Sequence, residues 1–193
     1  FPTRRSSDLP KEKLILSTLA EKFGAETVAK IVKSTQISEL RIAPEKTTAA
    51  DYCVESARRI FEAGLVKPAE IDGIIFVTET PNYRLPHTSA EMQAALGVPE
   101  RALTFDVNYG CAGYVYGLFL ASLLVESSYC GKVLLCVGDT PSKYVNAADK
   151  STRLVLGDAG SATILTAEKN SAPEIFKFHT EGDKREVLIV PAG

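Results

Sequence analysis

From Pro10 onward, apolar residues recur with two periods that take turns along the chain. Over 16–34 (LSTLAEKFGAETVAKIVKS), Leu19, Phe23, Val28, Ile31 and Val32 fall at helical spacing, with Gly24 interrupting them. The stretch 47–64 (TTAADYCVESARRIFEAG) predicts a better helix. Thr47 or Thr48 can cap it, Val54, Ala57, Ile60 and Phe61 form its inner stripe, and Gly64 ends it. IDGIIFVTET (71–80) is short, β-rich and nearly all apolar, as a strand covered on both faces is. HTSAEMQAALG (87–97) predicts a helix, ALTFDV (102–107) a strand, and CAGYVYGLFLASLLVESS (111–128) a further helix. KVLLCVGD (132–139) and SATILTAE (161–168) predict two more buried strands, and EIFKFHTEG (174–182) with EVLIVPAG (186–193) a final strand pair.

Strands alternating with helices define an α/β fold with a mainly parallel, layered sheet. The helix at 111–128 is apolar nearly all round, which predicts burial inside a larger structure. The first nine residues, FPTRRSSDL, are basic and polar, without a period of 2 or 3.6. They resemble the translated read-through of a sequencing adaptor, so residues 1–9 are set outside the fold as an artefactual or disordered tail and 10–193 are taken as the domain.

Composition narrows the function classes. The 193 residues are 45% hydrophobic and 24% charged, which is globular rather than disordered. A net charge of −2 gives no basic stripe for nucleic acid. The longest apolar run, YVYGLFLASLLV (114–125), is short of the roughly 20 residues that span a bilayer. With no charged-then-apolar leader, no membrane span and cysteines that read as reduced thiols, a cytoplasmic protein is expected. Cys53, Cys111, Cys130 and Cys136 show neither CxxC spacing nor pairing with histidine, so no zinc site is expected.

Cys111 stands apart from the other three. It falls where a predicted strand ends and a predicted helix begins, the place where α/β folds put ligands. Thiolate, not thiol, attacks a carbonyl, and the free N–H groups and dipole at a helix N-terminus favour an anion. Gly110 and Gly113 allow a sharp turn and a close-lying ligand. Most free cysteines are buried and inert, a description that suits Cys53, Cys130 and Cys136; position alone leaves Cys111 open between the two roles.

NYGCAGYVYGL resembles the nucleophile segment of the β-ketoacyl-acyl carrier protein synthase III family, in the thiolase superfamily. STQISELRIAPEKTTAADYCVESARRIFE, FVTETPNYRLPHTSAEMQAALG, STRLVLGDAGSATIL and LIVPAG resemble further segments of that family in the same order, so the likeness runs over residues 10–193. It implies the N-terminal half of a thiolase-like protein. Cys111 would accept an acyl group from a coenzyme A thioester, its backbone N–H forming half of an oxyanion hole. Malonyl-acyl carrier protein would then lose carbon dioxide and attack the acyl-enzyme. Acyl-CoA and acyl carrier protein are thus the implied partners, both as substrates, with no cofactor and no metal. The family completes its site with a histidine and an asparagine from its second half; neither His87, in a loop opening a helix, nor His179, near a turn, matches that histidine. The resemblance also implies a homodimer with residues 106–116 near the two-fold axis. It implies a sheet order of 3-2-1-4-5 whose central first strand is missing here, leaving strand edges and the helix at 111–128 under-covered.

Several positions depart from the family pattern. Lys30 stands in place of a tryptophan that stacks on the coenzyme A adenine, and Ser34 and Lys150 in place of arginines near that ligand. Leu85 stands where a phenylalanine closes the partner subunit's acyl pocket; the smaller residue is either a mere packing change or room for a longer or branched acyl group. Glu79, at the end of FVTET, resembles the general-base glutamate of hydroxymethylglutaryl-CoA synthase, which gives a rival, non-decarboxylative route to the carbanion. Against that stands a solvated or ion-paired Glu79. A non-catalytic thiolase-fold partner subunit is a third alternative, which an intact Cys111 argues against. Asp106, Asp139 and Asp158 read as structural residues at turns and helix ends.

Overall fold

Backbone pairing, not side-chain pattern, decides where the sheet begins. The computed structural model describes residues 4–167, 175–187 and 189. Its main sheet has five strands: β1 (Arg4–Asp8), β4 (Gly73–Val77), β5 (Leu103–Val107), β6 (Lys132–Asp139) and β7 (Ala159–Thr166), in the order β1-β7-β6-β4-β5. The β4–β5 and β4–β6 pairs are parallel, whereas β7 runs antiparallel to both β6 and β1. Strands β2 (Lys13–Ile15) and β3 (Glu39–Arg41) form a separate antiparallel pair. The helices are α1 (Ala20–Phe23), α2 (Ala25–Thr35), α3 (Ala49–Glu62), α4 (Thr88–Leu96), α5 (Gly113–Glu126) and α6 (Lys150–Arg153).

Two expectations are corrected here. Residues 4–8 are not a tail outside the fold: they form β1, with Ser6 opposite Ala162. Nor is a central first strand missing, since the first strand lies at an edge and the central place is taken by β6. RRSSD carries no buried-strand pattern because an edge strand needs chiefly backbone bonds to one neighbour. Arg59 of α3 adds to this grip, donating to the Ser7 carbonyl at 3.1 Å and pairing with the Asp8 carboxylate at 2.7 Å.

The apolar run of β4 follows from its interior position between β6 and β5. Ile74 and Phe76 point into a core with Ala57 and Ile60 of α3 and Met92 of α4. Ile75 and Val77 point to the other face, against Ala121 and Val125 of α5. Each strand side chain is buried whichever way it points, so period 2 disappears. Helix α3 has the cap its sequence promised: Thr48 accepts from the Asp51 N–H, and the Asp51 carboxylate accepts from the Thr48 N–H. The predicted helix over 16–34 is divided, because Gly24 takes φ +87° between α1 and α2 and residues 16–19 form a 3-10 turn.

Helix α5 is covered along one stripe rather than all round. Gly113, Gly117, Ala121 and Val125 are buried at i, i+4 spacing, while Val115 and Leu123 are 45% and 46% exposed. The small residues let the helix lie close to the sheet: a Cβ on Gly117 would stand 2.7 Å from Leu135 Cδ1. Part of the outer face is met by an extended stretch, with Phe176 and Phe178 edge-on to Phe119 at 5.4 and 5.1 Å and Phe178 tilted on Tyr116 at 4.6 Å. That stretch corrects the final strand pair: residues 175–181 form no strand and 182–187 form a 3-10 helix, while 174, 188 and 190–193 lie outside the described residues. No described helix is long and apolar enough to cross a membrane.

Candidate active site

The site grows from the carboxyl ends of β4, β5 and β6. Thr78 N–H donates to the Val107 carbonyl at 3.0 Å, carrying the β4–β5 alignment one residue past the strand. Asp139, the last residue of β6, then gathers the turn after β4. Its Oδ1 accepts from Thr78 Oγ1 at 2.9 Å, Glu79 N at 2.7 Å, and Thr80 N and Oγ1 both at 3.1 Å. Four donors on one oxygen hold three consecutive residues in place. Asp106 does similar work beside it, accepting from Thr88 N at 2.6 Å and Ser89 N at 2.8 Å to cap α4. Asp158 accepts from Ala43 N at 2.6 Å and Ser142 N at 3.0 Å. All three aspartates are the structural residues that the sequence pointed to.

Between β5 and α5 the chain turns over residues 108–112. Gly113 N–H donates to the Gly110 carbonyl at 2.7 Å, and Tyr116 N–H to the Ala112 carbonyl at 3.2 Å. Tyr109 stacks on Tyr116 with ring centroids 4.2 Å apart, tying the turn to the first turn of α5. Cys111 projects from this turn and is exposed, whereas Cys53, Cys130 and Cys136 are buried. A neighbouring Cys53 side chain and burial push the Cys136 thiol well up, and burial together with the Asp72 charge pushes Cys130 up. All three are buried out of reach of a reagent, and Cys111 is the exposed thiol at a helix start.

Of the other candidate residues, the structure brings Glu79 to the cysteine turn. A Cβ added to Gly110 would stand 2.7 Å from Glu79 Oε1 and 2.8 Å from its Oε2, so the carboxylate lies flat on the glycine that precedes Cys111. Leu85 is elsewhere, 87% exposed in the loop before α4. Lys150 is exposed at the start of α6, where Asp149 caps the turn. Lys30 and Ser34 are exposed along α2. His87 meets Thr104 Oγ1 at 3.0 Å and His179 meets Glu181 at 3.1 Å, so neither histidine is engaged at Cys111. A cleft of about 360 Å³ lies between α3 and α4 among Asp51, Arg58, Asn82, Glu91 and Met92, and Cys111 does not line it.

Two features escaped the sequence pattern. The fit of Glu79 onto Gly110 joins positions 31 residues apart, and only the absence of a side chain at Gly110 hinted at a close neighbour. The aromatic strap over α5 had a visible signal, the FKF alternation at 176–178, which puts both rings on one side of an extended chain.

A five-stranded mixed sheet layered by helices, with an exposed cysteine at the turn from β5 to α5, has the architecture of a thiolase-like fold. The comparisons with known proteins narrow this class. The profile of a family described as 3-Oxoacyl-[acyl-carrier-protein (ACP)] synthase III matches residues 105–184, which include Cys111. Beta-ketoacyl-[acyl-carrier-protein] synthase III of Xylella fastidiosa is 38% identical over 160 residues, 82% of this chain and 49% of that protein. Its counterpart in Chlamydia pneumoniae is 36% identical over 185 residues, 94% of this chain and 55% of that protein. Among solved structures, a 3-oxoacyl-(acyl-carrier-protein) synthase III superposes with TM-score 0.92 at 40% identity, covering 96% of this chain and 56% of that one. The Aquifex aeolicus VF5 3-oxoacyl-[acyl-carrier-protein] synthase III gives 0.78 at 29% identity, covering 86% and 53%. The chain belongs to the β-ketoacyl-acyl carrier protein synthase III family. It spans about half the length of the relatives it matches.

Proposed function

We propose that this chain is the nucleophile-bearing half of a β-ketoacyl-acyl carrier protein synthase III-type acyltransferase of fatty-acid or related polyketide synthesis. The observation that carries this reading is Cys111, exposed at the carboxyl end of β5 and immediately ahead of a 14-residue helix. The Cys111 thiolate attacks the carbonyl of an acyl-CoA. A new sulfur–carbon bond forms, the bond to coenzyme A breaks, and coenzyme A leaves as a thiolate that takes up a proton. The helix N-terminus and the backbone N–H groups of the turn supply positive potential for the oxyanion of the tetrahedral intermediate.

The second half-reaction needs groups that these residues do not bring to Cys111. Malonyl-acyl carrier protein loses carbon dioxide, and the resulting carbanion attacks the acyl-cysteine and releases Cys111 as a thiolate. A histidine and an asparagine that steady the enolate belong, by family resemblance, to the second half of the longer relatives. The reading needs no bound cofactor, fits a cytoplasmic enzyme, and takes acyl-CoA and acyl carrier protein as partners. In a homodimer of the longer protein, the exposed Leu85 would reach the partner's acyl pocket.

The rival routes are not favoured. The relatives named above carry the decarboxylating synthase's name, whereas Glu79 at Gly110 is the one local feature that a glutamate-base route would use. The native gene product tests the choice through its products from an acyl-CoA. Product formation that depends on malonyl-acyl carrier protein supports the synthase, and equal product from acetyl-CoA alone overturns it.

A further inference from the structure

We propose that Glu79 is a specificity-determining residue: its carboxylate, held beside Cys111, selects neutral acyl groups over anionic ones at the step that loads the cysteine. The inference rests on Cys111 as the acyl acceptor and concerns that first transfer, in which the incoming acyl chain must pass the cysteine turn.

The placement is geometric. Both Glu79 carboxylate oxygens lie within 2.8 Å of where a Gly110 Cβ would be. Consecutive Cα atoms are about 3.8 Å apart, so the charge lies against the residue next to Cys111. Its backbone does not wander, because Asp139 Oδ1 accepts from Glu79 N at 2.7 Å and from both polar groups of Thr80. The charged groups on the neighbouring strand ends have the same sign: Asp139 on β6 and Asp106 on β5. Tyr109, Ala112 and Gly113 of the turn are uncharged; Lys177 and His179 flank the Phe178 ring that lies on Tyr116, and His179 is paired with Glu181. Among the described residues, no Lys, Arg or His forms an ion pair with Glu79.

An acyl thioester ending in a second carboxylate brings a like charge into this field, whereas an alkanoyl thioester does not. Like unit charges held one residue apart in a mostly aqueous setting disfavour the anionic reagent by about three- to tenfold, and salt weakens the effect. The preferred substrates are therefore straight or branched alkanoyl thioesters, and the disfavoured ones are half-thioesters of dicarboxylic acids.

The test uses two small alkylating agents of nearly equal size. Iodoacetamide is neutral and iodoacetate is anionic; with either, the Cys111 sulfur bonds to the CH2 carbon as iodide leaves. Rates at Cys111 are read by peptide mass spectrometry for the chain and for Glu79→Gln, which keeps the shape and removes the charge. A change in thiol exposure or reactivity alters both rates alike and cancels in their ratio. The iodoacetamide-to-iodoacetate ratio is expected to fall about three- to tenfold in E79Q, and to fall in the unsubstituted chain as salt rises from low to molar. If Cys111 is labelled but the ratio is unchanged by both E79Q and salt, the selectivity is overturned while the acyl-acceptor role stands. If neither reagent labels Cys111, both are overturned together.

Discussion

Asp139 and Glu79 meet across 60 residues of sequence, side chain to backbone: Oδ1 of the one accepts from the N–H of the other at 2.7 Å. The same oxygen takes three further bonds from Thr78 and Thr80. Asp139→Ala removes all four acceptor contacts and leaves donors of a half-buried turn without a partner. A loss of about 2–4 kcal/mol in stability is expected by urea unfolding, with a smaller loss in Asp139→Asn, which keeps one oxygen. An alanine variant as stable as the unsubstituted chain would show that the turn is held by other means.

Gly110 and Glu79 occupy adjoining space, so they should behave as a pair. Gly110→Ala puts a Cβ at 2.7 Å from Glu79 Oε1 and displaces either the carboxylate or the cysteine turn. Alkylation of Cys111 by iodoacetamide is expected to slow in G110A and to recover in the G110A/Glu79→Ser double variant. Effects that simply add would contradict direct contact.

Gly160 tests the packing of α3 on the sheet. A Cβ there would stand 2.6 Å from Cys53 N and 2.6 Å from Tyr52 Cβ, backbone and near-backbone atoms that cannot swing aside. Gly160→Ala should cost about 1–3 kcal/mol or more in thermal or urea unfolding. Gly64, where an added Cβ meets nothing within 4 Å but φ is +68°, separates crowding from backbone strain. Its alanine variant should lose only about 1 kcal/mol. Equal losses at the two positions would count against the close approach of α3.

Asp149 gives a pH window. Hydrogen bonds from the Ser151 and Thr152 hydroxyls and the Ser151 N–H hold its carboxyl at about 2, below the ordinary 3.8. A depressed carboxyl stabilises the fold above its unfolded value and loses that contribution as pH falls through the folded value. The α6 turn should therefore persist above pH 4 and loosen between about pH 4 and 2. A carbon-detected NMR titration checks this, with a midpoint near 2 expected and one near 4 contradicting the capping bonds.

Elements whose burial is two-sided or whose caps are local were legible in the chain. KVLLCVGD at 132–139 is β6 residue for residue, and Thr48 with Asp51 forms the cap of α3. What stayed hidden depends on partners far along the chain. RRSSD becomes a strand because β7 offers it backbone groups, a fact with no trace in its side chains. The apolar circumference of α5 promised all-round burial, yet Val115 and Leu123 on its outer face stay exposed at 45% and 46%. At the site, the place of Cys111 between strand and helix could be read, but it left the role of the thiol open, and the family resemblance supplied the rest. The contact of Glu79 with Gly110 could not be read, since it depends on how β4 and β5 align beneath them.

Acyl transfer to Cys111 is measured most directly by incubating the chain with an acetyl-CoA or longer alkanoyl-CoA and mapping the modified peptide by mass spectrometry. One acyl group is expected, on the peptide bearing Cys111, absent from Cys111→Ala, with Cys53, Cys130 and Cys136 left free behind their burial. An unmodified Cys111, or an acyl group that persists in the alanine variant, would contradict its role as the nucleophile.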